Sequence, residues 1–241
     1  MLHNTRGIVL YHFRYSETSI IARIYTEKFG LQSYLIKSVR RHGSPIRISM
    51  FEHLSLLDMV VYRKENRELQ NIKEVQVLHP FRSIHNDIRK SSQALFINEV
   101  FSKSVKEEEG NAALFDFLLN TIVALDDPTA FSPHFHISFL ILLTKFLGFA
   151  PRQNYAPGYC FNLREGLFEP FPPLHLHYIE AGQARIFNLL LMGQPNPDHT
   201  VNIPSADRKV LLAKLIEFYQ LHLPTFTNLH SPVVLSEVLG G

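Results

Sequence analysis

The densest grouping of chemically capable side chains is Lys37-Ser38-Val39-Arg40-Arg41-His42-Gly43-Ser44, where three cations fall within five residues. Around it Arg14, Arg23, Arg47, Arg63, Lys64 and Arg67 occur among Tyr11, Tyr15, Tyr25, Tyr34 and Tyr62. Cations follow a phosphate backbone by neutralising it, and flat rings give unpaired bases a surface to stack on, worth about 1–3 kcal/mol per base. The mixture therefore suits single-stranded nucleic acid. A solvated hairpin end with its tyrosines in a core would show the same residues, so the pattern by itself leaves both readings open.

Other groupings carry less. The pairs His134/His136 and His175/His177 invite a metal, and Cys160 lies 15 residues before His175. On a helix an i, i+2 pair points in different directions, which argues for His134 and His136 as core or surface residues rather than joint ligands. His175 and His177 would share a face if extended, but a fourth ligand and the usual spacing are missing, so a metal-dependent enzyme built on Cys160, His175 and His177 is a remote alternative. Asp126-Asp127 precedes Pro128 and reads as a helix-ending turn, not an acid/base couple. No G-x-x-x-x-G-K-[ST], G-x-G-x-x-G or G-x-S-x-G is present, so nucleotide-binding loops and the hydrolase elbow have no support.

The elements that must position these residues change character near Pro80. Residues 7–15, 19–26, 31–39, 54–62 and 69–78 are β-branched and aromatic runs separated by turns, the pattern of five short strands. Thr26-Glu27-Lys28-Phe29-Gly30 reads as a hairpin, with Gly30 free to take a positive φ. Five strands of this size suggest an OB-fold, a five-stranded Greek-key barrel, although barrels of other topology share the pattern. Beyond Pro80 the period becomes helical over about 81–105, 111–125, 132–148, 178–192, 205–222 and 231–240. Asn111 is placed to cap the second helix, and Ser132-Pro133 and Gly148 bracket the third. Residues 149–177, with Pro151, Pro157, Pro170, Pro172 and Pro173, are irregular. The expected class is α+β: a five-stranded OB-fold barrel over 1–80 followed by an all-α domain over 81–241.

Composition fits a folded chain. Of 241 residues 46% are hydrophobic and 19% charged, too apolar for disorder. No apolar run is long enough to span a bilayer, the first residues lack a secretory core, and one cysteine allows neither an internal disulfide nor a four-thiolate site. The expected location is the cytoplasm, without membrane contact. Net charge is +2, yet residues 1–80 carry a basic surplus of five and the remainder an acidic surplus of three. A basic small domain attracts polyanions, nucleic acid first among them.

At this point the residues resemble the RecO family of bacterial recombination mediators. The match runs through Arg6-Gly7-Ile8-Val9-Leu10, Tyr15-Ser16-Glu17-Thr18-Ser19, Thr26-Glu27-Lys28-Phe29-Gly30, Lys37-Ser38-Val39-Arg40-Arg41 and Leu69-Gln70-Asn71-Ile72-Lys73-Glu74, in that order. The C-terminal part is matched more weakly, most clearly over 139–151 and 231–239. The resemblance implies an OB-fold that binds single- and double-stranded DNA and a helical domain behind it. It also implies annealing of complementary strands and, with RecR, loading of RecA onto strands coated with single-stranded-DNA-binding protein, all without a cofactor. By position in the family pattern, Lys37, Arg40 and Arg41 become the expected phosphate contacts; Arg14, Arg23 and Arg47 are added on charge and strand face alone. Association with the nucleoid would follow.

One departure stands out. Many members carry a four-cysteine zinc site where this chain has Tyr155-Ala156-Pro157-Gly158-Tyr159-Cys160-Phe161, with one cysteine. No metal is expected, and Tyr159, Phe161, Leu167, Phe168 and Phe171 are expected to hold the irregular segment instead. A groove for the acidic tail of single-stranded-DNA-binding protein is sought near Lys145, Arg152 and Arg164. The rival from another class is a protein-interaction scaffold whose basic barrel binds acidic proteins rather than DNA.

Overall fold

The computed structural model describes residues 1–37, 39, 46–64, 67–106, 109–193 and 202–239. Five strands, β1 (Leu2–Arg14), β2 (Ile20–Thr26), β3 (Gly30–Ile36), β4 (Leu56–Tyr62) and β5 (Leu69–His79), close into a barrel of order β1-β2-β3-β5-β4. Neighbours are antiparallel except β3 and β5, which run parallel, and β1 pairs with both β2 and β4 to complete the closure. This is the OB-fold expected from the strand pattern. Alternation explains its filling: Ile20, Ala22 and Ile24 point inward beside Val9, Tyr34, Ile36, Leu57, Met59 and Val61. A 3-10 turn (Ile48–Phe51) delivers Phe51 into the same core, with Ile46, Ile48 and Met50 packed against it.

Two of the family-like segments turn out to hold the barrel together. The β2–β3 hairpin closes as Thr26 Oγ1 donates to the Gly30 carbonyl at 2.9 Å and accepts the Phe29 N–H at 3.1 Å, with Gly30 at φ 60°. Arg6 reaches from β1 to grip Glu27 through Nε at 3.0 Å and Nη2 at 2.8 Å. Those hydrogen bonds hold the Glu27 carboxyl below the usual carboxylate range against the opposing effect of burial.

Six helices follow among the described residues: α1 (Ile88–Ser104), α2 (Ala112–Leu125), α3 (Phe135–Leu147), α4 (Ala181–Met192), α5 (Ser205–His222) and α6 (Ser231–Leu239). The chain forms two compact units, 1–82 with 105–123, and 83–104 with 124–241. Most of α2 thus belongs with the barrel rather than with the other helices. Asn111 caps it by accepting the Leu114 N–H at 3.0 Å, Phe115 lies 6.3 Å from Tyr25, and Arg6 adds a 2.9 Å bond to Asp116. Arg6 also sits 5.0 Å over the Phe115 ring, so this helix covers one stretch of the barrel's outer surface.

In the second unit α3 is apolar on nearly every side and ends at Gly148, whose left-handed φ of 84° aims its N–H at the Thr144 carbonyl. Its start differs from the sequence reading. Ser132 does not cap it; the helix begins at Phe135 after His134, and the Ser132 carbonyl accepts the Phe135 N–H. The Asp126-Asp127 turn is structural as expected: Asp126 accepts the N–H groups of Ser83 and Ile84 at 2.9 and 3.0 Å. Holding 83–84 in this way makes residues 83–87 a turn, so α1 starts at Ile88 rather than near 81. Residues 178–192 are not one helix either. Tyr178–Ile179 is a strand, β8, and joins β6 (Cys160–Asn162) and β7 (Leu167–Glu169), both within the segment expected to be irregular, in a small sheet of order β7-β6-β8.

The last helix is held by one acid. Glu99 on α1 accepts the N–H of His230 at 2.9 Å, the N–H of Ser231 at 2.8 Å and the Ser231 hydroxyl at 2.5 Å. Burial alone would raise its pKa, but the bonds from Ser231 and His230 outweigh it and hold the carboxyl low. Because these are the orphan donors of a helix start, Glu99→Ala is expected to cost about 1–2 kcal/mol in urea unfolding, and Glu99→Gln clearly less. Equal losses for the two would show that the acceptor is not what matters.

Candidate nucleic-acid interface

The site is built by a register shift. β1 pairs Val9 with Ile24 and then Tyr11 with Arg23, which leaves Leu10 as an extra residue, a β-bulge. Without it, strict alternation would put Tyr11 and Phe13 on Val9's side, inside the barrel. With it, Tyr11 pairs with Arg23 and Phe13 with Ile21, the outward positions of β2, while His12 and Arg14 take the other parity. The outcome is exposure: Tyr11 is 43%, Phe13 51% and Tyr15 60% accessible. Tyr15 stays in line because its N–H donates to the Ser19 carbonyl at 3.0 Å across the β1–β2 turn.

Cations flank these rings. Arg23 faces the same way and is braced by a 2.8 Å bond from Nη1 to the Ser33 hydroxyl. Across β2 and β3 the outward row continues through Ser33 and Leu35 to Lys37, which is exposed just past the end of β3. Arg14, exposed, donates from Nε to the Ser16 carbonyl at 3.2 Å and lies at the turn. Arg47 is exposed at the start of the 3-10 turn, which is tied to β1 where His12 Nδ1 meets the Phe51 carbonyl at 2.8 Å. Arg40 and Arg41 lie outside the described residues.

The tyrosines sort differently from their spacing. Tyr25 and Tyr34 are buried, Tyr34 with its hydroxyl pKa raised by burial. Tyr62 is exposed but pairs with Leu2, at the far end of β1 from Tyr15. Phe13 belongs to the exposed face and is not in the tyrosine set read from the sequence. A Phe between Tyr11 and Tyr15 at a spacing of two was the available signal, but the bulge that turns it outward has no mark in the sequence. Arg63 is committed elsewhere, 4.4 Å over the Phe29 ring.

The alternative site does not assemble. Cys160 is buried with Sγ 3.4 Å from the Glu169 carbonyl oxygen and 3.3 Å from that of Phe171, and burial raises the thiol pKa. His177 Nδ1 instead lies 2.5 Å from Glu217, which Lys214 also engages at 2.9 Å. Among the described residues no three His, Cys, Asp or Glu side chains are grouped to hold a metal. A family-type zinc site has too few sulfur donors here. His134 and His136 are buried in the helical core, His136 with its ring edge toward Phe96 at 5.6 Å. Lys145, Arg152 and Arg164 are all exposed, and Arg152 and Arg164 flank one turn because the Arg152 N–H donates to the Gly166 carbonyl at 2.8 Å. No described helix is long and apolar enough to cross a membrane.

Comparison with known proteins points to a single family. The family model described as Recombination protein O N terminal matches residues 1–81, and that described as Recombination protein O C terminal matches residues 85–230. A protein named DNA repair protein RecO from Bacteroides fragilis (strain ATCC 25285) is 35% identical over 241 residues, covering 99% of both chains. Proteins of the same name from Azobacteroides pseudotrichonymphae genomovar. CFP2 and Phocaeicola vulgatus are each 33% identical, over 240 and 239 residues, again covering 99% of both chains.

Proposed function

The chain belongs to the RecO family of DNA repair proteins, and from that premise we propose that its barrel binds single- and double-stranded DNA, that it anneals complementary strands, and that with RecR it helps load RecA onto strands coated with single-stranded-DNA-binding protein. The observation that carries this reading is the open, cation-flanked end of the barrel's outer face, with Arg23, Lys37, Arg14 and Arg47 exposed or half-exposed around it. Arg40 and Arg41 extend the same basic run in the sequence. Annealing needs no chemical step: one strand is held by its backbone, a coated strand is recruited through the protein that coats it, and pairing follows from local concentration. The protein is therefore read as a mediator that uses no cofactor and works at the nucleoid in the cytoplasm. Lys145, Arg152 and Arg164 are the candidate contacts for the acidic tail of the coating protein.

Binding through phosphates must weaken with salt, because each neutralised phosphate releases counterions. For about five contacts, a fourfold rise in salt should cut affinity roughly a hundredfold or more. In fluorescence anisotropy with a labelled single-stranded oligonucleotide, Lys37→Ala/Arg40→Ala/Arg41→Ala should reduce the logarithmic salt slope by about two. An unchanged slope would remove these three from the site. No binding by the native chain even at low salt would favour the scaffold reading, in which acidic proteins occupy the basic face.

A further inference from the structure

The phosphate contacts above account for charge but leave the exposed rings of β1 unexplained. Large aromatic side chains on a strand face are costly to leave in water, and here Tyr11, Phe13 and Tyr15 are presented in sequence at a spacing of two, the spacing that lines side chains along one face. A bulge at Leu10 turns the first two outward when unbroken alternation would have buried them. The surroundings are cationic: Arg23 is directly across from Tyr11, Arg14 lies between Phe13 and Tyr15 in the chain, and Lys37 ends the outward row of β3. The turn's exposed Glu17 is the nearest acid in the sequence. α2 covers the barrel where Tyr25 meets Phe115, so a ring on the outer surface does have a cover there, while Tyr11, Phe13 and Tyr15 keep theirs in solvent.

The geometry points to a base-stacking platform: Tyr11, Phe13 and Tyr15 take successive bases of single-stranded DNA while Arg23 and Lys37 take the adjoining phosphates. This deepens the proposed function and rests on it. Duplex DNA keeps its bases stacked on each other and offers this face only its backbone, so the rings confer a preference for unpaired strands. Charge complementarity selects this occupant over an apolar protein segment, which would leave Arg23 and Lys37 facing no acid.

The test separates ring from charge. Tyr11→Ala/Phe13→Ala removes two exposed rings, and anisotropy with labelled oligothymidine should show an affinity lower by about thirtyfold or more, with the salt slope and duplex affinity unchanged. Tyr11→Phe/Phe13→Tyr should bind like the native chain. Because the chain contains no tryptophan, Phe13→Trp supplies a single reporter whose fluorescence should be quenched on adding oligothymidine. Native-like binding by the alanine variant, an equal loss on both DNA forms, or an unquenched reporter while anisotropy reports binding would each overturn the platform and leave the phosphate reading standing. Absence of DNA binding by the native chain would overturn both.

Discussion

Phe161→Ala is expected to lower the free energy of unfolding by about 3–5 kcal/mol, the largest effect of any single substitution considered for this chain. Phe161 sits on the central strand of the small β7-β6-β8 sheet, fully buried, with ring centroids of Phe168, Phe187 and Phe218 at 4.9, 4.7 and 5.7 Å. These neighbours come from β7, α4 and α5, so one ring joins the sheet to two helices. Truncating it removes its transfer free energy and leaves a cavity that three separately anchored rings cannot readily close. This chain has one cysteine, and the aromatic cluster around Phe161 ties the small sheet to two helices without sulfur donors. Accordingly a chelator should leave the melting temperature of the native chain unchanged, and stoichiometric zinc on elemental analysis would sink this account. Phe171→Ala supplies the contrast: Phe171 is 77% exposed, and its loss should fall within about 0.5 kcal/mol of native.

That contrast marks where sequence reasoning reached its limit. Phe161, Phe168 and Phe171 look alike in a proline-rich stretch, and only the pairing of β6 with β7 decides that the first two face inward. The rings that complete the cluster, Phe187 and Phe218, lie on helices far along the chain, a long-range fact that local spacing does not carry. Element type was more legible. The period-two runs became β1 to β5 within three residues at each end, except that β1 starts five residues earlier, because each strand sends apolar side chains to a common core and a slip by one residue would expose them. Caps with a side-chain mechanism transferred in one case, Asn111, and failed in another, Ser132, whose proline-containing turn delays the helix by two residues. α2 reads as an ordinary member of a helical bundle, yet Phe115 and Asp116 meet Tyr25 and Arg6 in the barrel's unit.

The candidate site was legible as composition and not as geometry. Charge asymmetry and the Lys37 to Arg41 run are visible in the sequence, and Arg14, Arg23, Lys37 and Arg47 are each at least partly accessible. The aromatic rings sort differently from their spacing, since Tyr34 lies in the barrel core and Tyr25 is covered by Phe115 while Phe13 is outside. A single inserted residue at the bulge decides which rings are available to a ligand. Parity is the first thing a strand loses when its register is not known.

Acidification is expected to destabilise the helical unit well before its carboxylates titrate, and His136 is the reason. Its ring is buried on α3 against Phe96, with Gln93 Nε2 3.4 Å from its Nδ1. Burial, then the nearby His134 and Arg208, push its pKa down to about 3, and burial lowers that of His134 as well. In the unfolded chain the same histidine takes up a proton near pH 6.5. Since the unfolded state binds the proton first, the stabilisation from a neutral His136 is complete above about pH 6.5 and is lost as pH falls from there toward 3. Each pH unit in that window costs about 1.4 kcal/mol, so unfolding at pH 4.5 should require about 2–3 kcal/mol less than at pH 7 from this residue. Glu27, Asp87, Glu99, Asp127 and Glu217 all have lowered pKa values, so their contributions begin to fade only as pH falls into the ordinary carboxylate range, about pH 4, and do not explain a slope above it. His136→Leu removes the titrating group and keeps similar volume, and urea unfolding between pH 7 and 4.5 should then be nearly flat apart from the smaller share of His134. A slope as steep as that of the native chain would show that the proton goes elsewhere.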